Sequence, residues 1–408
     1  MATTGTAALS PEVKAMYDAD FYIQGQSMVY WDQLADLKGP IMNGQRGISQ
    51  NFPIVESNQP NYTALDELTD VSATQMRANE VVVTLSEYGG AIEVTKFLVA
   101  TSYADVYKQA AYVNGYNLAE SYDYVVRAVA GQGSRVMYQN SRTARNQFAG
   151  PSTAADTAGV KFVELLAIFA RGSKMPLYED NAVATVIHPF VFYDLLQDTA
   201  SGGVRTMSQY SHPEILFNGE LAFWAGMRFI VSANAKGFWG AGAANTSASG
   251  NLTLTSPINV GDASINLSAN TNLAVGQWIA VQDGQETGNT WYDTNELMRI
   301  TGIASNVISG FMLDPGPGDA GGARFAHASG AGGALVTNRY SAFPVVVLGP
   351  NSITKAASSW TGPYGETVVT GPFDRLGRFL TFGWYAIIGY ARTRNAWLLR
   401  GEVGSSQT

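Results

Sequence analysis

The chain has 408 residues, a formal net charge of −8 and no cysteine. Disulfides and thiolate metal sites are therefore excluded. The acidic balance argues against a wide nucleic-acid-binding face, whose affinity comes from Lys and Arg. Charged residues make up 14% and hydrophobic residues 46%, against a usual charged share of about 25%. Such a composition fits a chain whose faces are covered by copies of itself, or equally a neutral extracellular β-protein. Residues 1–10 hold neither a basic stretch nor a signal-length apolar segment, and no apolar run approaches the ~20 residues of a membrane span. The expectation is a cytoplasmic, soluble product.

Ser10-Pro11-Glu12 reads as a helix start, with a hydroxyl cap, proline at the first position and an acid near the positive end. The stretch to about Ala35 is rich in aromatics (Phe21, Tyr22, Tyr30, Trp31) and stops at Gly39-Pro40. It reads as an arm that packs on a neighbour, or alternatively as a first core helix. Residues 46–56 predict a strand and residues 57–78 a polar connector. Glu80 to Phe97 predicts one long strand, with a bulge or bend at Gly89-Gly90. A connector of this length is uncommon in a compact domain and is expected to be functional or disordered. From Asp105 to Ala130, Tyr107, Ala111, Leu118, Tyr122, Val125 and Val129 recur at helical spacing. About 26 residues span roughly 39 Å; Gly115 is a possible bend and Gly131-Gln132-Gly133 a stop.

Residues 157–171 predict a second helix that buries Phe162, Leu165, Leu166 and Phe169. Ala182–Ile187, His188-Pro189 and the residues to Asp198 read as strand, proline and helix, and Gly226–Ser232 as a further strand. Composition changes at Ala235. From Gly237 to Ala342 there is no lysine, and short strands recur at Asn251–Thr255, Ser264–Leu267, Gln277–Val281, Glu296–Thr301 and Val307–Leu313. This predicts an all-β insert, barrel or sandwich, within an α+β chain. Beyond it, Pro344–Gly349, Phe379–Tyr390 and Ala396–Arg400 read as strands.

No catalytic, cofactor or metal motif emerges. His188, His212 and His327 show no metal-ligand spacing and read as structural. There is no phosphate-binding GxxxxGK[ST] loop and no G-x-S-x-G elbow. Asp283, Glu286, Asp293 and Glu296 lie close in sequence, as a calcium site or as a solvated acidic face. Arg324, Arg339, Arg375, Arg378, Arg392, Arg394 and Arg400 give the C-terminal part a basic bias, for pairing between subunits or as ordinary surface charge.

The stretches Glu80–Phe97, Ala182–Leu196, Gly219–Ser232, Val345–Pro350 and Asp374–Val403, in this order, resemble the major capsid proteins of tailed bacteriophages with the Hong Kong 97-like fold, most closely the N-four-like branch. The resemblance covers most of residues 10–235 and 342–402. It implies an N-terminal arm (1–45), an extended-loop hairpin (46–97) and a peripheral domain with a long spine helix (98–177). It further implies an axial domain in two parts (178–239 and 342–382) around the inserted all-β domain (240–341), and C-terminal strands returning to the peripheral domain (383–408). The implied role is a non-enzymatic shell of hexamers and pentamers enclosing double-stranded DNA without sequence-specific binding. It implies a virion location after synthesis in the host cytoplasm, no cofactor and no membrane, with separate scaffold and portal proteins and possible decoration proteins. The alternative is a surface protein whose β-domain binds a receptor or carbohydrate, with Trp278, Trp291 and Tyr292 as candidates.

Overall fold

The structure, a computed structural model, describes residues 31–408 except 38–47, 199–223, 245–251 and short breaks at 66, 68–69, 72, 103–104, 151–152, 179–180, 271–272, 289, 291, 317–319, 331 and 374–375. The predicted helix at Ser10, the residues Phe21, Tyr22 and Tyr30, and also His212, Trp291 and Arg375 lie outside the described residues. The chain is α+β and divides into two compact units, residues 1–129 with 351–394 and residues 130–350 with 395–408.

In the first unit, the 14-residue strand β17 (Phe379–Arg392) is the organising element. It pairs antiparallel with β4 (Ser86–Thr95) from Phe379 to Ile388 and, over much of the same stretch, with β16 (Glu366–Phe373). Towards its end it pairs with β15 (Ile353–Ala357), which carries the short parallel β1 (Asp36–Leu37). Phe382, Trp384, Ala386 and Ile388 alternate along β17 and are buried, because a period of two puts them on one face. They pack on helix α2 (Val106–Gly131), which presents Ala110, Ala111, Leu118 and Tyr122. Polar groups fix the contact. Asn114 donates to the Phe382 carbonyl, and the Trp384 indole donates to Asn117 Oδ1 at 3.0 Å.

Several sequence expectations change here. Glu80–Phe97 is not one strand: β3 (Ala78–Thr84) and β4 are separate and break at Leu85, and α1 (Lys96–Thr101) follows. Gly89 and Gly90 make neither bulge nor bend, since the ladder to β17 runs unbroken through both. A Cβ on Gly90 would lie 2.7 Å from Asn117 Oδ1 and 3.0 Å from the Trp384 indole nitrogen, so the glycine admits that hydrogen bond. The helix runs unbroken through Gly115 and ends at Gly131. In its last turns Val126 and Ala130 are buried, whereas Val125 and Val129 are half-buried.

The second unit holds two sheets. One has the order β5 (Val136–Tyr138), β18 (Leu398–Gly404), β14 (Ala342–Leu348), β6 (Val183–Ile187), β7 (Met227–Val231). Its three inner strands are buried at every position; β6 and β14 are near-continuous apolar runs, whereas β18 carries Arg400 and Glu402 into the interior. Helix α3 (Val160–Gly172) and helix α4 (Pro189–Gln197) supply Phe162, Leu166, Val191 and Leu195 to its core. Against expectation, Leu165 and Phe169 are exposed; the buried stripe of α3 runs through Val160, Val163, Ala167 and Ala170 instead. His188 caps α4, its Nδ1 accepting from the Phe190 amide.

The other sheet is antiparallel, in the order β8 (Leu252–Thr253), β13 (Leu335–Thr337), β10 (Trp278–Gln282), β11 (Glu296–Ala304), β12 (Val307–Met312), β9 (Ser264–Asn266). Its edge strands meet through a bridge between Leu254 and Leu267. The sheet is thereby closed around Ile265, Ile279, Val281, Met298, Ile300, Ile308 and Val336, and of the two forms left open by the sequence the barrel is observed. β13 was not foreseen: Leu335-Val336-Thr337 is too short a run beside glycines to stand out.

Residues 130–177 group with the second unit, and the chain passes from the first unit back to the second at 394/395. The reason is pairing: β15 and β16 hydrogen-bond to β17, whereas β18 lies between β5 and β14.

Candidate functional site

The ribbon of β2 (Ser49–Val55) and β3 projects a long connector. The two strands pair antiparallel from Ser49 with Thr84 to Val55 with Ala78. The Glu56 amide donates to the Arg77 carbonyl at 2.9 Å and closes the mouth. Between these residues no helix or strand forms among the described residues. At the base, Phe52 and Val83 pack with Ala356. Gly389 lets the chain pass there, since a Cβ on it would strike the Thr84 carbonyl oxygen at 2.2 Å. Arg394 donates to the Val55 carbonyl at 2.8 Å.

Beyond this base the ribbon has no covering layer among the described residues. Tyr62 is 94% exposed, Leu65 72% and Met76 69%, and Ile48, Val55, Val71 and Val82 are exposed too. A two-stranded ribbon is marginal alone in water, and apolar side chains massed on a projection mark an interaction surface. Phe97 and Leu98 on α1, Trp360 (85% exposed) and Leu376 add further apolar surface to this unit. In the second unit, Leu165, Ile168 and Phe169 line the outer side of α3.

The charged groups behave differently: many are committed inside the chain. Lys355 lies with Nζ 2.6 and 2.7 Å from the two oxygens of Asp32, and the Tyr390 hydroxyl donates to the same carboxylate at 2.5 Å. Burial pulls the lysine below its ordinary range, with Asp32 opposing. Burial and then Asp32 raise the tyrosine well above its own. Trp31, expected on a neighbour, is instead buried in its own chain, its amide donating to Asp123 at 3.0 Å.

In the second unit Glu402 receives both Arg145 (2.7 Å) and Arg400 (3.0 Å). Arg145 continues to the carbonyls of Glu286 and Gly288, and Lys236 pairs with Glu286 at 2.7 Å. Arg400 is therefore neither surface charge nor a bridge between chains; Glu402 and the Gly131 carbonyl hold it inside. The acidic cluster does not share one face: Glu286 and Glu296 are buried, Asp293 is half-buried and Asp283 is exposed. Asp283 Oδ1 lies 2.9 Å from His327 Nδ1 and Glu296 Oε2 lies 2.8 Å from its Nε2. Burial alone would lower the His327 pKa, but the hydrogen bonds to Glu296 and Asp283 outweigh it and the net shift is upward. Among the described residues no group of His, Asp and Glu is disposed to hold a metal ion, and no helix is long and apolar enough to cross a membrane.

Of the aromatics considered for ligand binding, Trp278 lines a cavity. Tyr292 is tied to the ion network through its amide, which donates to Glu286 at 3.1 Å, and through its carbonyl, which accepts from Lys236. None of these clusters carried a sequence motif. Their partners are as far as 358 residues apart, and only the fold brings them together.

No protein-family model matches the chain, and no curated protein does. Solved structures do match. The capsid of Ralstonia phage GP4 superposes with a TM-score of 0.52 at 10% identity, covering 92% of this chain and 88% of that one. The cyanophage Pam1 capsid gives 0.51 at 13% identity, covering 90% and 87%. The capsid structure of cyanophage P-SCSP1u gives 0.50 at 11%, covering 91% and 87%. The likeness runs through nearly the whole of each chain, and the fold of this protein is that of the bacteriophage capsid proteins.

Proposed function

We propose that this chain is a major capsid protein of the Hong Kong 97-like type, a non-enzymatic subunit that assembles into hexamers and pentamers around packaged DNA. The observation that carries the reading is the fold likeness to phage capsids over about nine tenths of the chain. The exposed apolar ribbon and connector of residues 48–84 support it. In this reading the ribbon is the extended loop lying over the adjacent subunit, and α2 is the spine of the peripheral domain. The five-stranded sheet of the second unit belongs to the axial domain, and the barrel is an insertion. Scaffold, portal and any decoration proteins are separate partners, and the location is the virion.

The mechanism is geometric. Head-to-tail contacts between identical chains close into rings when the rotation permits. Interfaces of the obligate kind bury roughly 2,000–5,000 Å², at ~25 cal/mol per Å² of apolar area before ordering costs. Exposed ion pairs would add only ~0–1 kcal/mol each, so apolar area must dominate.

The test is assembly of the purified chain, followed by negative-stain microscopy, beside a variant in which residues 57–76 are replaced by a short glycine-serine turn. The expectation is rings or closed shells for the full chain, and a folded subunit that forms neither for the variant. Full-sized shells from the variant would remove the loop from the mechanism, and a strictly monomeric full chain at high concentration would remove the capsid reading.

A further inference from the structure

We propose that the second unit carries a binding pocket for a small hydroxylated carboxylate, of the size and class of a sugar acid. A cavity of about 250 Å³ opens where the start of β10, the segment after β13 and the segment after β18 meet, with Trp278, Asn338, Arg339, Tyr340, Ser341 and Thr408 in its wall. A water molecule takes about 30 Å³ of liquid volume, so the space holds far more than one bridging water, and a six-membered ring fits.

The wall is built rather than incidental. Glycine at 242 lets the chain run close beneath it, since a Cβ there would lie 2.7 Å from both the Phe148 and the Tyr340 carbonyl oxygens. Ser341 Oγ accepts the Gly240 amide. Arg339 donates Nε to the Gly242 carbonyl at 2.9 Å. That bond orients the guanidinium while its two terminal nitrogens have no partner among the described residues.

The donor set identifies the ligand. Arg339 is the only charged side chain in the wall, and no carboxylate pairs with it among the described residues. Its planar fork matches a carboxylate through two parallel hydrogen bonds. Asn338 is buried, and its Nδ2 lacks a hydrogen-bond partner, as does the Thr408 hydroxyl. A buried donor left unmade is costly, and ligand hydroxyls would satisfy these two groups. Trp278 and Tyr340 give the wall the apolar area a ring requires. An uncharged sugar would leave the arginine unanswered, and a bare carboxylate such as acetate would leave most of the space empty.

The test uses the full-length chain, with ligand-observed saturation-transfer NMR and titration calorimetry against glucuronate, glucose and acetate. Glucuronate should bind with a Kd in the millimolar range, and glucose and acetate at least about tenfold more weakly. R339Q should weaken glucuronate by about tenfold or more with Tm unchanged. N338A, which removes no charge, should also weaken it and keeps the test decisive if R339Q fails to fold. Equal binding of glucose and glucuronate, no response to either substitution, or no binding at about 20 mM ligand would overturn the proposal. The readout needs no shell, so its failure is separate from failure of the capsid reading.

Discussion

Lys355 and Asp32 form a buried ion pair, the ammonium lying within 2.7 Å of both carboxylate oxygens. The ring of Tyr122 stands 5.0 Å from the same ammonium and that of Tyr364 5.2 Å. Removing one member of such a pair strands a charge in a medium that cannot solvate it, at about 3–5 kcal/mol. D32A should therefore cost the folded chain about that much in urea unfolding. The double variant D32A/K355M should recover most of the loss, because a well-packed apolar replacement is often neutral. A double variant no better than the single would mean that shape, not charge, holds the segment at residues 31–37.

Gly90 provides the second test. G90A places a methyl group against Asn117 and the Trp384 indole and should destabilise by about 1–3 kcal/mol through overpacking. G172A is the control, since nothing lies within 4 Å of a Cβ there; it should be near neutral in the same thermal melts.

His327 makes the barrel pH-dependent. Its folded pKa is raised above the ordinary ~6.5 by Glu296 and Asp283 acting against burial. The folded state therefore binds the proton more tightly than the unfolded state. This stabilisation is complete below the unfolded pKa and fades as pH rises through the folded one. Melting temperature should fall as pH rises from the ordinary ~6.5 through the raised folded pKa, and H327Q should flatten the fall. The groups facing the imidazole are Asp283 and Glu296, with the Arg324 amide on the second oxygen of Glu296. A wild-type slope unchanged in H327Q would assign the effect elsewhere.

Excising the barrel, residues 244–338, with a short linker takes from the buried Lys236 its 2.7 Å ion-pair partner Glu286 and from Arg145 the carbonyls of Glu286 and Gly288. The simple deletion should express as a destabilised chain. Adding K236M should restore soluble, folded product, measured by yield and circular dichroism. Loss of folded product in both versions would make the barrel part of the core.

The readable parts of the sequence were those with a strong local period. The long helix, the strands on either side of the 56–77 connector, β6, β14 and five of the six barrel strands all carry patterns of period 3.6 or two, or β-branched runs. What escaped was non-local. Nothing in the local sequence near Asp32 says that Lys355 will meet it, and the buried carboxylate of Glu296 gave no sign that His327, on the segment between β12 and β13, would reach it. Gly89-Gly90 resembled a bend because a tight approach and a turn use the same residue. Leu165 and Phe169 fit a buried helix stripe by hydropathy, yet a different stripe of α3 won the core.

The position of β18 carries a temporal consequence. It lies between β5 and β14, joined to both, and α3 packs against its Gly401. The five-stranded sheet is therefore discontinuous until residue 404 has left the ribosome, however early its other four strands emerge. A nascent chain must hold this sheet in separate pieces until β18 emerges, so translation itself sets the earliest moment at which the layer can close.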